Sequence, residues 1–227
     1  MKKTINDHST SLPKELLLIL ITLAPIVYLF IIWKELPDQV PMHWNFQGEI
    51  DRYGSKEMLG GLVLLINVPI YLLMLFLPKI AAKKESLERM GKKYYRLRLI
   101  LQLFMASLVF TILLVSSGAT QIPIETLLGY CFIFFMLLFG NYMGSIRKNN
   151  FMGIGTPWTL ENEEVWKKTH QLGGRLWIGG AIIGFILLFF LPNNWALMSV
   201  IALMVVPMLL AAIYSFVLFK QLKDTSV

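Results

Sequence analysis

The chain has 227 residues, of which 56% are hydrophobic and 15% are charged, and its mean hydropathy is +0.62. Because soluble globular proteins carry about 25% charged residues, this composition excludes an ordinary soluble domain and predicts a polytopic membrane protein. The net charge of +7 requires no nucleic-acid partner, since basic residues at a membrane surface are attracted to anionic lipid headgroups. An acidic protein partner is the alternative that the same charge allows.

Six apolar runs divide the chain, and each is near the roughly 20 residues that a helix needs to cross a bilayer. We therefore predict an all-α, polytopic membrane protein with six transmembrane helices in a single membrane domain over residues 1–227. A long re-entrant hairpin in place of the last two spans is the alternative. The first span follows basic residues but precedes no small-residue cleavage site, which indicates an uncleaved signal anchor. The runs cover residues 16–33, 59–77, 97–117, 122–142, 176–191 and 195–219.

The distribution of basic residues predicts the orientation, because Lys and Arg beside a span resist translocation. With the N-terminus inside, eighteen of the 21 Lys and Arg residues fall on the inner side and three on the outer side. Both termini and a basic loop at residues 79–98 are therefore predicted to be cytoplasmic. Two polar segments remain. Residues 36–56, the outer cassette, are predicted to face outward, and residues 149–175, the inner cassette, to face the cytoplasm.

The predicted spans contain few polar groups. Pro25, Pro69 and Pro207 remove backbone donors and are expected to bend three helices. Asn67, beside Pro69, either repairs the packing there or faces a polar cavity. No Asp, Glu, Lys or Arg lies near the middle of a span. This pattern argues against an ion-coupled transporter or a proton pump, which usually carry a charge near the midplane.

Two small-residue patterns and one cysteine indicate helix contacts. Gly140 and Gly144 in the fourth span, and Gly180 and Gly184 in the fifth, permit close helix approach. Cys131 is the sole cysteine. It therefore forms no intrachain disulfide, and we expect it to serve packing.

The outer cassette, LPDQVPMHWNFQGEIDRYGSK, is predicted to form a compact, non-helical cap, because two prolines interrupt a helix and two glycines permit turns. Its aromatic and polar side chains are suited to binding a peptide or a lipid headgroup. Trp44 and Tyr53 fit an interfacial aromatic belt equally well. His43, Glu49 and Asp51 lack the spacing of a metal site, so neither a metal nor a cofactor is predicted. The candidate binding residues of the outer cassette are His43, Trp44, Asn45, Asp51 and Tyr53.

The inner cassette, NNFMGIGTPWTLENEEVWKKTHQLGGR, is predicted to contain an amphipathic helix at the membrane surface. Thr159 or Asn162 would cap this helix, which would run to Leu172 and end at the glycine pair 173–174. The helix alone does not require the Thr, Trp and His residues around it. For His170, a hydrogen-bonded structural histidine is favoured over a catalytic base. The candidate functional residues are Thr156, Trp158, Glu164, Trp166 and His170.

The two cassettes carry a resemblance to a known family. The outer cassette combines Leu-Pro, a second Pro, His-Trp-Asn, Gly and Asp-x-Tyr-Gly-Ser-Lys, and it is similar to the N-terminal signature of the SdpI-type bacterial immunity proteins. The pattern GxxTPWTLxxxxVWxxTHxLGG in the inner cassette is similar to the second signature of the same family. The two signatures occur in the family's order and with matching hydrophobic spacing.

The resemblance implies an integral membrane protein that protects its host against a secreted antimicrobial peptide of the cannibalism-toxin type. For the best-known members it also implies capture of a small winged-helix autorepressor at the inner face, although many relatives occur without a recognised toxin or repressor gene. This chain has Gly155 and Gln171 where the family commonly has basic residues. A docked repressor would therefore rely on Lys167, Lys168 and Arg175, or the chain would act in immunity alone.

Two functions from other classes are the alternatives. An intramembrane enzyme acting on a peptide or lipid would use His170 and Glu164 as an acid and base pair. Their six-residue spacing separates them on a helix, and no HExxH or GxSxG motif supports hydrolysis. A small transporter or exporter is disfavoured by the lack of midplane charge. We therefore predict a non-enzymatic protein that contacts a peptide toxin and membrane lipids, with a repressor as a further partner, and that binds no nucleic acid directly.

Overall fold

A computed structural model describes residues 11–80, 90 and 92–225 of the chain. Half of the predicted basic loop 79–98, residues 81–89 and 91, lies outside the described residues, and so do Lys2 and Lys3, on which the predicted orientation also depends. The elements in chain order are α1 (Leu12–Ile32), β1 (Gln39–Trp44), β2 (Ile50–Ser55), α2 (Lys56–Ile80), α3 (Lys92–Ser116), α4 (Ile124–Met143), α5 (Pro157–Glu161), α6 (Glu163–Phe190) and α7 (Asn193–Thr225).

Six of the described helices are long and apolar enough to cross a membrane, as judged by length and composition: α1, α2, α3, α4, α6 and α7. Their most apolar stretches have mean hydropathies between 1.7 and 2.6. Each predicted span coincides with one of these helices to within a few residues, except that α6 begins well before residue 176. The prediction of a polytopic protein with six membrane helices is confirmed, and the chain is a multi-pass membrane protein.

Helix α3 joins two groups of helices. On one side it packs against α1 and α2, and on the other it packs against α4, which in turn packs against α6 and α7. The first group has its own apolar core near the end of α3 that approaches the hairpin. The residues of that core are Leu29, Ile32, Leu36, Val40, Leu59, Val63, Val109 and Leu113.

A buried ion pair holds α1 to α3. The guanidinium of Arg98 donates two hydrogen bonds to the carboxylate of Glu15, at 2.8 and 2.7 Å. The Tyr71 hydroxyl of α2 donates to the same carboxylate at 2.8 Å. Such a bidentate pair is geometrically specific, so it fixes the relative positions of three helices.

A polar bridge lies one turn further along α3. The Gln102 side-chain amide donates to the Asn67 side-chain oxygen at 3.1 Å, and the Asn67 amide donates to the Thr22 carbonyl at 3.1 Å. Asn67 is fully buried. It therefore joins α1, α2 and α3 as an internal packing residue, which is the first of the two roles expected for it.

The outer cassette folds as an antiparallel hairpin of β1 and β2, which confirms the predicted non-helical cap. The turn follows Trp44 and is built by Asn45, whose side-chain oxygen accepts the backbone N–H groups of Gln47 and Glu49, both at 2.9 Å. Gly48 has a φ of +80°, a conformation that residues with a Cβ rarely adopt. The sequence of the turn therefore sets the shape of the hairpin tip.

Three contacts hold the hairpin against the helices. Val40 of β1 is fully buried in the core of the first helix group. The Ser116 hydroxyl at the end of α3 donates to the Pro41 carbonyl at 3.2 Å. At the hairpin tip, the Phe46 ring meets the Trp195 ring of α7 edge to face, with 5.8 Å between the ring centroids. The hairpin is thus fixed to both helix groups.

One prediction about the inner cassette is wrong. The helix does not end at the glycine pair 173–174, and it is not a separate surface helix, because α6 continues without a break from Glu163 to Phe190. The glycines serve close packing. A Cβ at Gly174 would lie 2.5 Å from the Gly140 carbonyl oxygen of α4. The amphipathic segment is therefore the first turns of the fifth membrane helix.

The close helix approaches predicted from the glycine patterns are confirmed at three of the four positions. Besides Gly140, a Cβ at Gly180 would lie 3.0 Å from the Leu203 carbonyl oxygen, and a Cβ at Gly184 would lie 3.1 Å from the Val200 side chain. Gly144 stands at an ordinary contact distance from its neighbour. The crossings of α6 with α4 and α7 thus depend on the absence of side chains.

We expect Gly174→Ala to destabilise the protein by about 1–3 kcal/mol, because the added methyl group would force α4 and α6 apart. The matched control is Gly179→Ala in the same helix, where a Cβ would meet no atom within 4 Å. Thermal unfolding of the purified protein in detergent measures both. Equal unfolding temperatures for the two variants would contradict the tight crossing.

The predicted orientation is testable with the single cysteine as background, because Cys131 is buried. We expect a membrane-impermeant maleimide to label Tyr53→Cys in intact cells and to label Glu161→Cys only after permeabilisation, since both positions are exposed and lie in opposite cassettes. Labelling of Glu161→Cys in intact cells would reverse the assignment of the two faces.

Candidate functional site

The hairpin tip and two helix ends enclose a cleft of about 410 Å³, here called the outer cleft. The hairpin contributes residues 42–46. The start of α4 contributes Ile124, Glu125 and Leu128, and the start of α7 contributes Asn194, Leu197 and Met198. Most of these side chains are apolar, a lining typical of binding pockets.

The two helices beneath the outer cleft are joined at their ends. The Thr126 hydroxyl of α4 donates to the side-chain oxygen of Asn193 in α7 at 3.2 Å. Together with the edge-to-face contact of Phe46 and Trp195, this bond fixes the hairpin tip, α4 and α7 relative to one another. The outer cleft is therefore preformed.

Among the residues that the structure describes, Glu125 is the one carboxylate that lines the outer cleft. It lies in the first turn of α4, where the positive end of the helix dipole favours a negative charge. Its side chain lies against Gly48 of the hairpin turn, on the side where that residue has no Cβ. Glu125 is only 8% exposed.

The sequence pattern does not single out Glu125, because this residue lies near the end of the predicted span 122–142 and not in its middle. The sequence does contain one signal, which is the position of Glu125 within the apolar run 122–142. A carboxylate inside a long apolar run is costly to bury, so its presence there indicates a nearby partner.

Three of the five candidate residues in the outer cassette line the outer cleft, namely His43, Trp44 and Asn45. Asp51 reaches the outer cleft only through His43, since its carboxylate lies 2.6 Å from the His43 Nδ1 atom. Tyr53 is 55% exposed and does not line the outer cleft. The predicted candidates thus lie on one wall of the outer cleft, and none of them lies on the two helix ends opposite it.

The residues of this wall have different tasks. Trp44 gives an apolar surface, and Asn45 shapes the turn through hydrogen bonds to backbone N–H groups. The Asp51 carboxylate orients the His43 ring and favours a proton on Nδ1, which leaves Nε2 for another partner. Among the described residues, no group of three or more His, Cys, Asp or Glu side chains could hold a metal ion.

The inner cassette is a network of buried hydrogen bonds. The His170 ring is fully buried, its Nδ1–H donates to the Trp166 carbonyl at 2.7 Å, and its Nε2 accepts the Ile154 backbone N–H at 2.9 Å. These partners define the neutral tautomer with the proton on Nδ1. Both ring nitrogens are in use, so the geometry is that of a structural histidine.

Trp166 extends the same network. Its ring stacks on His170 with 4.1 Å between the ring centroids, and its indole N–H donates to the Ile146 carbonyl at 2.8 Å. The indole N–H of Trp158 donates to the Ser215 hydroxyl of α7. The loop before α5 is therefore held to α6, and α5 itself is held to α7.

The helix caps of the inner cassette differ in part from those predicted. Asn162 caps α6, as one of the two predicted alternatives, since its side-chain oxygen accepts the N–H groups of Glu164 and Val165 at 2.8 and 3.1 Å. Thr156 caps the short helix α5 and pairs with Thr159 in a capping box. Thr159, the other predicted alternative, therefore does not cap α6 but is the capping-box partner of Thr156 in α5.

Glu164 has another role than the buried candidates beside it. Its carboxylate lies 2.8 Å from the Lys168 ammonium, and both side chains are about half exposed. The pair is an i,i+4 surface salt bridge, which contributes little to stability. The acid and base pair of Glu164 and His170 that the enzyme hypothesis requires is not formed.

A second cleft of about 490 Å³, here called the inner cleft, lies between the end of α4 and the start of α6. Four basic side chains and one acidic side chain line it: Lys93, Arg147, Lys148, Lys167 and Glu163. Of the three basic residues expected to replace the family's missing ones, only Lys167 lines this cleft, and Lys168 is paired with Glu164. The inner face therefore presents a positively charged hollow.

Comparisons with known proteins cover both cassettes. Residues 145–218, which include the whole inner cassette with α5, α6 and most of α7, match the model of the SdpI/YfhL protein family. Residues 20–67, which include the hairpin, match a model described as a domain of unknown function (DUF1648). The chain is 21% identical to the immunity protein SdpI of Bacillus subtilis (strain 168), over 93% of this chain and 99% of that protein. No solved structure matches the chain.

We expect Gly153→Ala to loosen the inner cassette, because its φ of +101° is strained for a residue with a Cβ and the Cβ would overlap the buried His170 ring. The expected cost is about 1–3 kcal/mol. Faster cleavage of the loop before α5 by a protease, in the detergent-solubilised protein, would report it. The matched control is Gly155→Ala, where a Cβ would meet open space. If both variants resist the protease as the unmodified protein does, the loop is not held through His170.

Proposed function

We propose that this chain, which belongs to the SdpI/YfhL protein family, is an immunity protein that protects the bacterial cell membrane against a secreted peptide toxin. The observation that carries the proposal is the similarity to the Bacillus immunity protein, which extends over nearly the whole length of both chains. The similarity includes both cassettes and all six membrane helices, so it is not confined to generic apolar spans.

The outer cleft supports a direct role in toxin binding. A peptide that attacks the membrane from outside meets the predicted outer face first, and the hairpin is the largest structured part of the described chain there. The outer cleft offers apolar walls and few polar groups, which suits the side chain of an amphipathic peptide. Because the hairpin is fixed to both helix groups, the site requires little ordering when the peptide binds.

Within this site we assign separate roles to four of the five outer candidates. Trp44 is the apolar anchor, and His43, oriented by Asp51, is the polar contact at the rim. Asn45 acts through the shape of the turn. Tyr53 lies outside the outer cleft and extends the exposed surface of the hairpin.

The inner face supports a further step, in which toxin binding outside leads to capture of a winged-helix repressor inside. The inner cleft has an excess of basic side chains, which complements an acidic protein surface. The inner cassette is also held to α7, the helix that lines the outer cleft at its other end. A displacement of α7 by the toxin would therefore reach the inner surface.

The alternative functions receive less support. The enzyme hypothesis lacks its acid and base pair, since His170 is buried with both nitrogens in hydrogen bonds. A transporter hypothesis lacks a carboxylate or basic group near the middle of a described span. Immunity requires neither feature.

We expect Trp44→Ala to lower the toxin concentration that depolarises protected cells by about tenfold or more, because loss of a central aromatic anchor typically costs about 2 kcal/mol. The measurement is membrane potential in a toxin-sensitive Bacillus strain that expresses the chain, challenged with the peptide toxin against which SdpI protects. The matched control is Tyr53→Ala on the same hairpin at equal abundance. Protection by both variants would exclude the outer cleft, and no protection by the unmodified chain would contradict immunity to this toxin.

A further inference from the structure

The carboxylate of Glu125 is the starting observation. The Glu125 residue as a whole is only 8% exposed, and it lines the outer cleft, whose other walls are mainly apolar. Burial of an ionised carboxylate is unfavourable unless it is paired or hydrogen bonded. A buried acid at a binding surface therefore needs a compensating partner.

No described residue supplies that partner. Within residues 11–80, 90 and 92–225, no hydrogen bond or ion pair reaches the Glu125 carboxylate. The Glu15 carboxylate, at the opposite ends of the helices, differs from that of Glu125. It receives two hydrogen bonds from Arg98 and one from Tyr71. Glu15 is thus paired with three donors, whereas no described residue donates to Glu125.

The surroundings of Glu125 indicate what would bind there. The other polar side chains that line the outer cleft are already engaged: His43 with Asp51, Asn45 with the hairpin turn, and Asn194 with the Trp195 backbone N–H. The remaining surface consists of apolar side chains such as Trp44, Leu128 and Leu197. This combination is complementary to a cationic group attached to an apolar segment.

We propose that the outer cleft binds a cationic nitrogen group of the secreted peptide, an ammonium or a guanidinium, on the Glu125 carboxylate. The apolar residue next to that group in the peptide packs against Trp44 and Leu128. This inference rests on the proposed immunity function and specifies the chemistry of its ligand. A charge-assisted hydrogen bond of this kind is shorter and stronger than a neutral one, so it gives the site selectivity for cationic over neutral peptides.

The test uses the purified chain in lipid nanodiscs. It measures how tightly this chain binds the toxin against which SdpI protects. The variants are Glu125→Gln, which keeps the size of the side chain, and Glu35→Gln, an exposed carboxylate on the same predicted face outside the outer cleft. We expect Glu125→Gln to weaken binding about tenfold or more and Glu35→Gln to leave it unchanged.

A second arm changes the peptide in place of the protein. Acetylation of the peptide's amino groups, or neutralisation of its guanidinium groups, removes the positive charge. The neutral peptide should bind the unmodified chain about as weakly as the native peptide binds Glu125→Gln, and the variant should not distinguish the two peptides. Because this arm uses the unmodified chain, it tests the role of the positive charge even where Glu125→Gln folds poorly.

The outcomes separate the two proposals. Equal binding of the native peptide by the unmodified chain and by Glu125→Gln would overturn the role of Glu125 and leave immunity intact. Tight binding of the charge-neutral peptide by the unmodified chain would do the same. Failure of the unmodified chain to bind the native peptide at all would overturn the inference together with direct toxin binding in the outer cleft.

Discussion

One face of α3 is the constraint on which the rest of the structure depends. Arg98 and Gln102, four residues apart, project from the same side of the helix and hold α1 and α2 by hydrogen bonds to Glu15 and Asn67. Further along α3 the buried residues are apolar, such as Val109 and Leu113. The helix ends at Ser116, whose hydroxyl donates a hydrogen bond to the hairpin. Interhelical hydrogen bonds matter in a membrane because lipid tails provide no hydrophobic force between helices.

The position of the hairpin follows from this face. Strand β1 is held at the end of α3, and the hairpin tip therefore extends over the starts of α4 and α7, where Phe46 meets Trp195. The outer cleft is the space that this arrangement leaves between the tip and the two helices. The residues of α3 therefore position the hairpin wall of the outer cleft, although α3 does not itself line that cleft.

The inner cassette shows the same principle at the opposite end of the helices. Backbone groups that are buried away from water must find partners inside the protein, and the loop before α5 finds them in side chains of α6, while α5 itself bonds to α7. His170 accepts the Ile154 N–H, and the indole of Trp158 bonds to Ser215. Four of the five candidate residues in the inner cassette are therefore explained by folding, whereas Glu164 lies on the surface.

The sequence predicted the six membrane helices and the non-helical hairpin because long apolar runs and proline-rich turns are local signals. It failed at the glycine pair 173–174, since glycine ends helices and also permits close helix crossings, and only the position of Gly140 on another helix decides between the two. It missed Glu125 for a similar reason. Whether a carboxylate is paired depends on residues distant in the chain, and the hairpin turn at Gly48 that covers this one is 77 residues away.

The most direct test of the central claim, that the outer cleft holds the toxin, is site-specific photo-crosslinking. A benzophenone amino acid at Met198, which lines the outer cleft and is 42% exposed, is compared with the same group at Phe189, an exposed position in α6 outside the outer cleft. We expect the toxin to crosslink at position 198, and excess unlabelled toxin to abolish the crosslink. Crosslinking at position 189 and not at position 198 would contradict the account.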